Sequence, residues 1–129
     1  MTQELGVKKA VFHWYSGPLD VLKEILDAGY YVGTTPSLAT SPQSKEAMSH
    51  APLERILIET DCPVFFQDDH GGFKSEPRDV FRTLKAYAQL KNIDEQKALA
   101  IFNQNAREFF DIQGIDDRRD KACRAPTMF

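Results

Sequence analysis

Pro52-Leu53-Glu54-Arg55-Ile56-Leu57-Ile58-Glu59-Thr60-Asp61-Cys62-Pro63 is the stretch on which the fold turns. Residues 55–60 read as a strand, and its continuous apolar centre, Ile56-Leu57-Ile58, suits a strand buried on both faces in a parallel sheet covered by helices. Asp61 then stands at the carboxyl end of that strand. Working back towards the amino terminus, Ser41-Pro42 supplies an N-cap and an N1 proline for a short helix ending near Ala51-Pro52. Tyr30-Tyr31-Val32-Gly33-Thr34-Thr35 is a second strand. Before it, Leu19, Leu22, Ile25 and Leu26 recur at helical spacing, with Asp20 in the first turn and Gly29 placed to end the helix. Val11-Phe12-His13-Trp14-Tyr15 predicts a strand over 10–15 that breaks at Ser16-Gly17-Pro18. Leu5-Gly6-Val7 reads as the end of a helix running into it.

Forward of Pro63, an acidic and Gly-rich loop covers Gln67 to Lys74. Ser75-Glu76-Pro77 is expected to cap a helix whose apolar face carries Val80, Phe81, Leu84, Tyr87 and Ala88. Asn92 and Asp94 separate it from a last helix bearing Leu99, Ile101, Phe102, Ala106, Phe109 and Phe110, which should stop near Gly114. Residues 115–129 have mixed charge and no apolar period, so a flexible tail is expected after a structured region over 1–114.

Composition sets outer limits. The chain has 129 residues, 42% hydrophobic and 27% charged, which excludes disorder, collagen and disulfide scaffolds. No apolar run approaches the roughly 18 residues of a membrane span, and residues 1–20 lack the plan of a signal peptide. A cytoplasmic protein with no membrane partner is the expectation. The net charge of −3 argues against a generic nucleic-acid coat, though not against a nuclease that carries cations. Cys62 and Cys123 fall outside any CxxC spacing and read as reduced thiols, Cys62 as a small packing residue.

Alternating strands and helices imply parallel strands with right-handed crossovers, either in a small open sheet or in part of a (β/α)₈ barrel. No Gly-rich phosphate loop follows any strand, which weakens a nucleotide-binding version of the open sheet. In both architectures ligands meet the carboxyl ends of the strands. There the first strand offers His13, the second Thr34 and Thr35, and the third Glu59, Thr60 and Asp61. Histidine nitrogen with carboxylate oxygen suits a divalent ion able to acidify a bound water. The same residues also fit a hydrogen-bonded core histidine and an aspartate that caps or pairs, and two donors are fewer than the three of a catalytic site.

His13-Trp14-Tyr15-Ser16-Gly17-Pro18, Gly29-Tyr30-Tyr31-Val32, the 52–63 stretch, Ser75-Glu76-Pro77 and Asn105-Ala106-Arg107-Glu108-Phe109-Phe110 occur in the order and spacing of one family. Over residues 5–112 the chain resembles the carboxyl-terminal half of the TatD family of metal-dependent hydrolases. The resemblance implies α/β structure: a partial TIM (β/α)₈ barrel, its last three βα units holding strands six to eight. It implies metal-dependent deoxyribonuclease chemistry with divalent metal ions (Mg, Mn or Zn), two in a complete site. By the same resemblance His13 is a metal ligand on the sixth strand, and Asp61 is a ligand on the eighth that activates water. The family's other donors, a His-x-His, a Glu and a further His on earlier strands, have no counterpart here. His50, at a helix end away from the strand mouth, and His70, in a loop, cannot replace them, and Asp68-Asp69-His70 reads as solvated loop.

Around that pair, Glu59 and Thr60 are expected to support the ligands, Glu59 through a hydrogen bond or an ion pair, Lys74 to meet a substrate phosphate, and Trp14 to face a base. Trp14 and Tyr15, as neighbours on a strand, should point to opposite sides. Asn105 should bond backbone at the barrel base. Three functions follow. One is a phosphodiester hydrolase acting on DNA, present as a fragment of about half the length such a barrel needs. Another is an inactive split-barrel half, with exposed sheet edges and bare apolar strand faces, that works by self-association or by binding a missing amino-terminal half. The third, an amide or ester hydrolase, keeps the chemistry and changes the bond.

Overall fold

Three short strands pair where the sequence places its β-branched and aromatic runs. In the computed structural model, which describes residues 5–112, β1 (Val11–Phe12), β2 (Tyr31–Thr34) and β3 (Ile56–Ile58) form one parallel sheet in that order. Phe12 lies opposite Val32, and Val32 opposite Ile56. Because side chains alternate along a strand, this register puts Phe12, Val32 and Ile56 on one face and Tyr31, Gly33 and Leu57 on the other. The first face is the core side: Val32 and Ile56 are fully buried in the same cluster as Leu22, Met48, Tyr87 and Phe102.

Helices α1 (Leu19–Asp27) and α2 (Pro42–His50) fill the two connections between strands. Helix α1 buries Leu22 and Ile25, and α2 buries Ser44, Ala47 and Met48 behind the Ser41 cap, whose hydroxyl accepts from Ser44 N at 3.2 Å. After β3 come a two-stranded antiparallel hairpin, β4 (Phe65–Phe66) with β5 (Phe73–Lys74), and then α3 (Val80–Lys91) and α4 (Glu95–Phe109). Asn92 ends α3 in the left-handed conformation, and Asp94 caps α4 by accepting from Gln96 N and Lys97 N. Tyr87 of α3 meets Phe102 of α4 edge to face, with centroids 5.0 Å apart. No helix among the described residues is long and apolar enough to cross a membrane.

Several expectations change. The first strand is two residues long, not six: the chain leaves the sheet after Phe12 and turns at His13-Trp14. Strand alternation therefore does not govern Trp14 and Tyr15. Tyr15 is buried with its hydroxyl donating to Pro18 O at 2.6 Å, while Trp14 is half-buried against Phe66. The expected loop is the turn and second strand of a hairpin that begins at Phe65, and Gly71 and Gly72 both take positive φ and allow the reversal. Ser75 does not cap α3. Its hydroxyl accepts from Val64 N and closes the hairpin base, and Glu76 with Asp79 forms the capping box of the 3-10 turn before α3. Phe81 of α3 and Phe110, just beyond α4, are exposed, and the buried stripe of α4 is Ala98, Phe102 and Asn105. Cys62 is exposed rather than a buried packing residue. The strand faces are not bare: Tyr31 and Leu57 are buried, and Tyr31 is covered by the Phe109 ring and the Arg55 guanidinium. The expected helix stop at Gly114, the tail 115–129 and Cys123 lie outside the described residues.

Candidate functional site

Parallel strands end on one side of their sheet, and hydrogen bonds past β1, β2 and β3 gather those ends into one mouth. Tyr15 N donates to Gly33 O at 2.9 Å, and Glu59 N donates to Thr34 O at 2.9 Å. These bonds carry the pairing beyond the strands and bring 13–15, 33–35 and 59–61 together. Thr83, fully buried on α3, donates its hydroxyl to Glu59 O at 3.0 Å and ties the end of β3 to the helix layer.

His13 stands between two carboxylates. Its Nδ1 lies 2.5 Å from Glu59 Oε1, and its Nε2 lies 3.3 Å from Asp61 Oδ1. The same Glu59 oxygen accepts from Trp14 N at 2.9 Å, so one carboxylate holds both the imidazole and the turn that carries it. Gly33 lies beneath: a Cβ there would meet the Glu59 carboxyl carbon and both its oxygens at 3.0–3.1 Å.

Two residues beside the cluster adopt backbone conformations that non-glycine residues seldom do. Trp14 has φ 48° and Asp61 has φ 50°. Left-handed residues of this kind cost about 1–3 kcal/mol each and persist where surrounding bonds hold them. At Trp14 the holding bond is the one from its N–H to Glu59. Burial pushes the Glu59 carboxyl above its ordinary value, against the opposing pull of His13 and the Trp14 N–H.

The exposures differ in a useful way. The side chain of His13 is 54% exposed and that of Asp61 33%, whereas that of Glu59 is 26% exposed. His13 is open to solvent, and both carboxylates are partly buried, Glu59 slightly more than Asp61. An imidazole that gives its Nδ1 proton to Glu59 turns a bare Nε2 lone pair towards the Asp61 oxygen. Two acceptors repel unless a proton or a cation lies between them. The donor set fits a divalent ion, since two ligands with bonds of about 2.0–2.1 Å to one ion sit about 3.0–3.4 Å apart. No group of three or more His, Cys, Asp or Glu side chains able to hold a metal occurs among the described residues.

The remaining expected residues lie at differing positions relative to this centre. Thr60 is buried next to the pair. Trp14 packs on Phe66 of the hairpin, centroids 5.3 Å apart, and Lys74 is exposed on the hairpin's other face opposite Phe65. His50 bonds Glu46 O through Nδ1 at the end of α2 and is not part of the cluster. In the 68–70 loop, Asp68 accepts from His70 N and Gly72 N, so it shapes the hairpin rather than joining the centre. Asn105 donates to Leu53 O and Ile56 O, the backbone bonding expected of it. Gly33 and Thr83 had no assigned part in the sequence reading. A glycine in a strand interior was the only local signal for the first, and none marked the second.

Comparisons with known proteins point the same way. The family model described as TatD related DNase matches residues 1–111. The human protein named deoxyribonuclease TATDN3 is 29% identical over 110 residues, 85% of this chain and 39% of that one. The Bacillus subtilis protein named uncharacterized metal-dependent hydrolase YabD is 28% identical over 104 residues, 79% of this chain and 41% of that one. The chain thus spans about 40% of the length of these relatives. Among solved structures, a TatD family hydrolase from Entamoeba histolytica superposes with a TM-score of 0.71 at 21% identity, covering 84% of this chain and 44% of that one. The Escherichia coli TatD homologue YJJV gives 0.65 at 19%, covering 79% and 40%. These likenesses show the fold, and the three-stranded sheet with its helices corresponds to part of such a hydrolase.

Proposed function

The chain belongs to the family of TatD-related DNases, and from that premise we propose that it forms one side of the active site of a metal-dependent hydrolase that cleaves phosphodiester bonds, with DNA as substrate. The strands β1, β2 and β3 are strands six, seven and eight of an eight-stranded barrel in this reading. Chain outside these residues, contiguous or on a partner, supplies the remaining donors. The relative named a deoxyribonuclease and the one named a metal-dependent hydrolase support the chemistry.

One observation carries the proposal: His13 Nε2 and Asp61 Oδ1 face each other at 3.3 Å at the carboxyl ends of parallel strands. His13 and Asp61 would hold a divalent ion (Mg, Mn or Zn), one of two in the complete site. When bound, such ions offset the charge that develops on the phosphate and acidify water. The protein's own groups do the rest. Glu59 keeps the His13 proton on Nδ1 and the ring in place, as carboxylates behind ligating histidines do. Asp61 orients the attacking water and takes its proton. Thr60 packs behind the pair and keeps the end of β3 rigid. Trp14 meets a base from the Phe66 face of the hairpin, and Lys74, on the hairpin's opposite face, meets a phosphate farther along the DNA strand.

The test is divalent-dependent DNase activity of the complete polypeptide or reconstituted complex, with and without Asp61→Asn. A loss of at least about 100-fold is expected, the scale of a removed catalytic proton acceptor, and equal rates would end the role of Asp61. A second reading is favoured by the absence of a three-donor cluster among the described residues and by the free outer sides of β1 and β3 in a three-stranded sheet. In it the 129-residue chain is inactive alone and works only by assembly. Size-exclusion with light scattering tests this second reading, because a compact monomer that binds no partner excludes assembly.

A further inference from the structure

Gly33 sits in a strand where nothing about its backbone asks for glycine. Its φ lies outside the left-handed region, and a glycine inside a strand weakens it unless something must approach closely. What approaches is the Glu59 carboxylate, whose three terminal atoms lie 3.0–3.1 Å from where a Cβ would be. That carboxylate competes with Asp61 for a single proton. A neutral imidazole carries one N–H; Glu59 offers an acceptor to Nδ1 at 2.5 Å and Asp61 one to Nε2 at 3.3 Å. The closer partner wins, and it is close because Gly33 leaves room for it.

We propose that Gly33 is a positioning residue that selects the His13 tautomer: by admitting the Glu59 carboxylate beneath the His13-Trp14 turn, it keeps the ring proton on Nδ1 and leaves Nε2 free to ligate a divalent cation. This rests on the metal reading above and adds a residue with no ionisable or ligating group of its own. A methyl at position 33 displaces the carboxylate by a few tenths of an ångström or more. Glu59 then loosens its hold on Nδ1 and on Trp14 N, and Asp61 becomes the better acceptor. The proton moves to Nε2, where it blocks ligation.

The test is ring-nitrogen NMR of the metal-free 129-residue chain at about pH 8.5, roughly two units above the ordinary imidazole value, followed by titration with Zn²⁺. Wild-type His13 is expected as the Nδ1–H tautomer. Gly33→Ala should shift it towards Nε2–H and weaken zinc binding at His13 by about 10- to 100-fold, the usual effect of losing a partner behind a ligand. Gly33→Ala combined with Glu59→Asp withdraws the carboxylate by one methylene and should restore the Nδ1–H form in part, a rescue that general destabilisation would not give. If Gly33→Ala yields no folded protein, Glu59→Ala empties the cradle with β2 intact and should give the same shift. An unchanged His13 tautomer in a folded Gly33→Ala or Glu59→Ala chain overturns the proposal. Zinc that moves no His13 signal in the wild type overturns the metal reading and leaves the tautomer measurement to decide the part played by Gly33.

Discussion

Asn105→Ala is the substitution whose cost the structure fixes most tightly. Asn105 is 2% exposed on the inner face of α4, and its two amide protons go to Leu53 O at 2.7 Å and Ile56 O at 2.8 Å. Those carbonyls belong to the 3-10 turn that enters β3 and to the first residue of β3. The side chain is therefore the bolt between the last helix and the strand that ends in Asp61. Each hydrogen bond is worth about 1 kcal/mol net, and leaving a buried carbonyl unpaired adds to the loss. The expected destabilisation is about 2–4 kcal/mol, a large share of the roughly 5–15 kcal/mol by which a domain is stable. In thermal melts that is a fall of about 10–25 °C for a unit of this size. Asn105→Asp keeps the shape but presents acceptors to two acceptors, so it should cost more than alanine at neutral pH. Urea unfolding of the three proteins measures both values. A loss under about 0.5 kcal/mol for alanine, or an aspartate variant as stable as the wild type, would refute the reasoning.

Two smaller perturbations test other parts. The hydrogen bond from His70 N, helped by Gly72 N and the charges of His70 and Arg82, holds the Asp68 carboxyl below its ordinary value of 3.8. A carboxyl depressed on folding adds stability above its unfolded pKa and loses it as pH falls through the folded one, so the Gly72 amide resonance should titrate with a midpoint below 3.8. A midpoint at or above that value would contradict the hairpin geometry. Tyr87 Oη is buried with no hydrogen-bond partner among the described residues, and burial with the nearby Glu54 charge pushes its pKa far up. Tyr87→Phe removes a desolvated hydroxyl and should leave stability unchanged or raise it by up to about 1 kcal/mol; a clear loss in urea would reveal a missing partner.

The parts of the fold legible in the sequence are those written in local chemistry. Ser41-Pro42 opened α2, Asn92 and Asp94 divided α3 from α4, and the apolar 56–58 run marked a strand buried in a parallel sheet. Strand order placed His13 and Asp61 at one mouth, and the family resemblance gave them their reading as a ligand pair. What local reading missed depends on partners distant in sequence. Trp14, a bulky residue, turns into the left-handed region because Glu59, 45 residues away, accepts its N–H. Ser75 looks like a cap until Val64 claims its hydroxyl. The hairpin was hidden because its two-residue strands are too short for alternation to register, which left only Gly71-Gly72 as a signal. Gly33 reads as a weak spot in a strand until Glu59 is placed above it.

The account rests on His13 and Asp61 acting together on one cation. The most direct test is calorimetric titration of Mn²⁺ into the 129-residue chain, wild type against His13→Ala and Asp61→Asn, with circular dichroism to show that all three are folded. The account predicts weak, saturable binding to the wild type that falls at least about tenfold in each variant, a change of about 1.4 kcal/mol. Equal binding by all three proteins would contradict it.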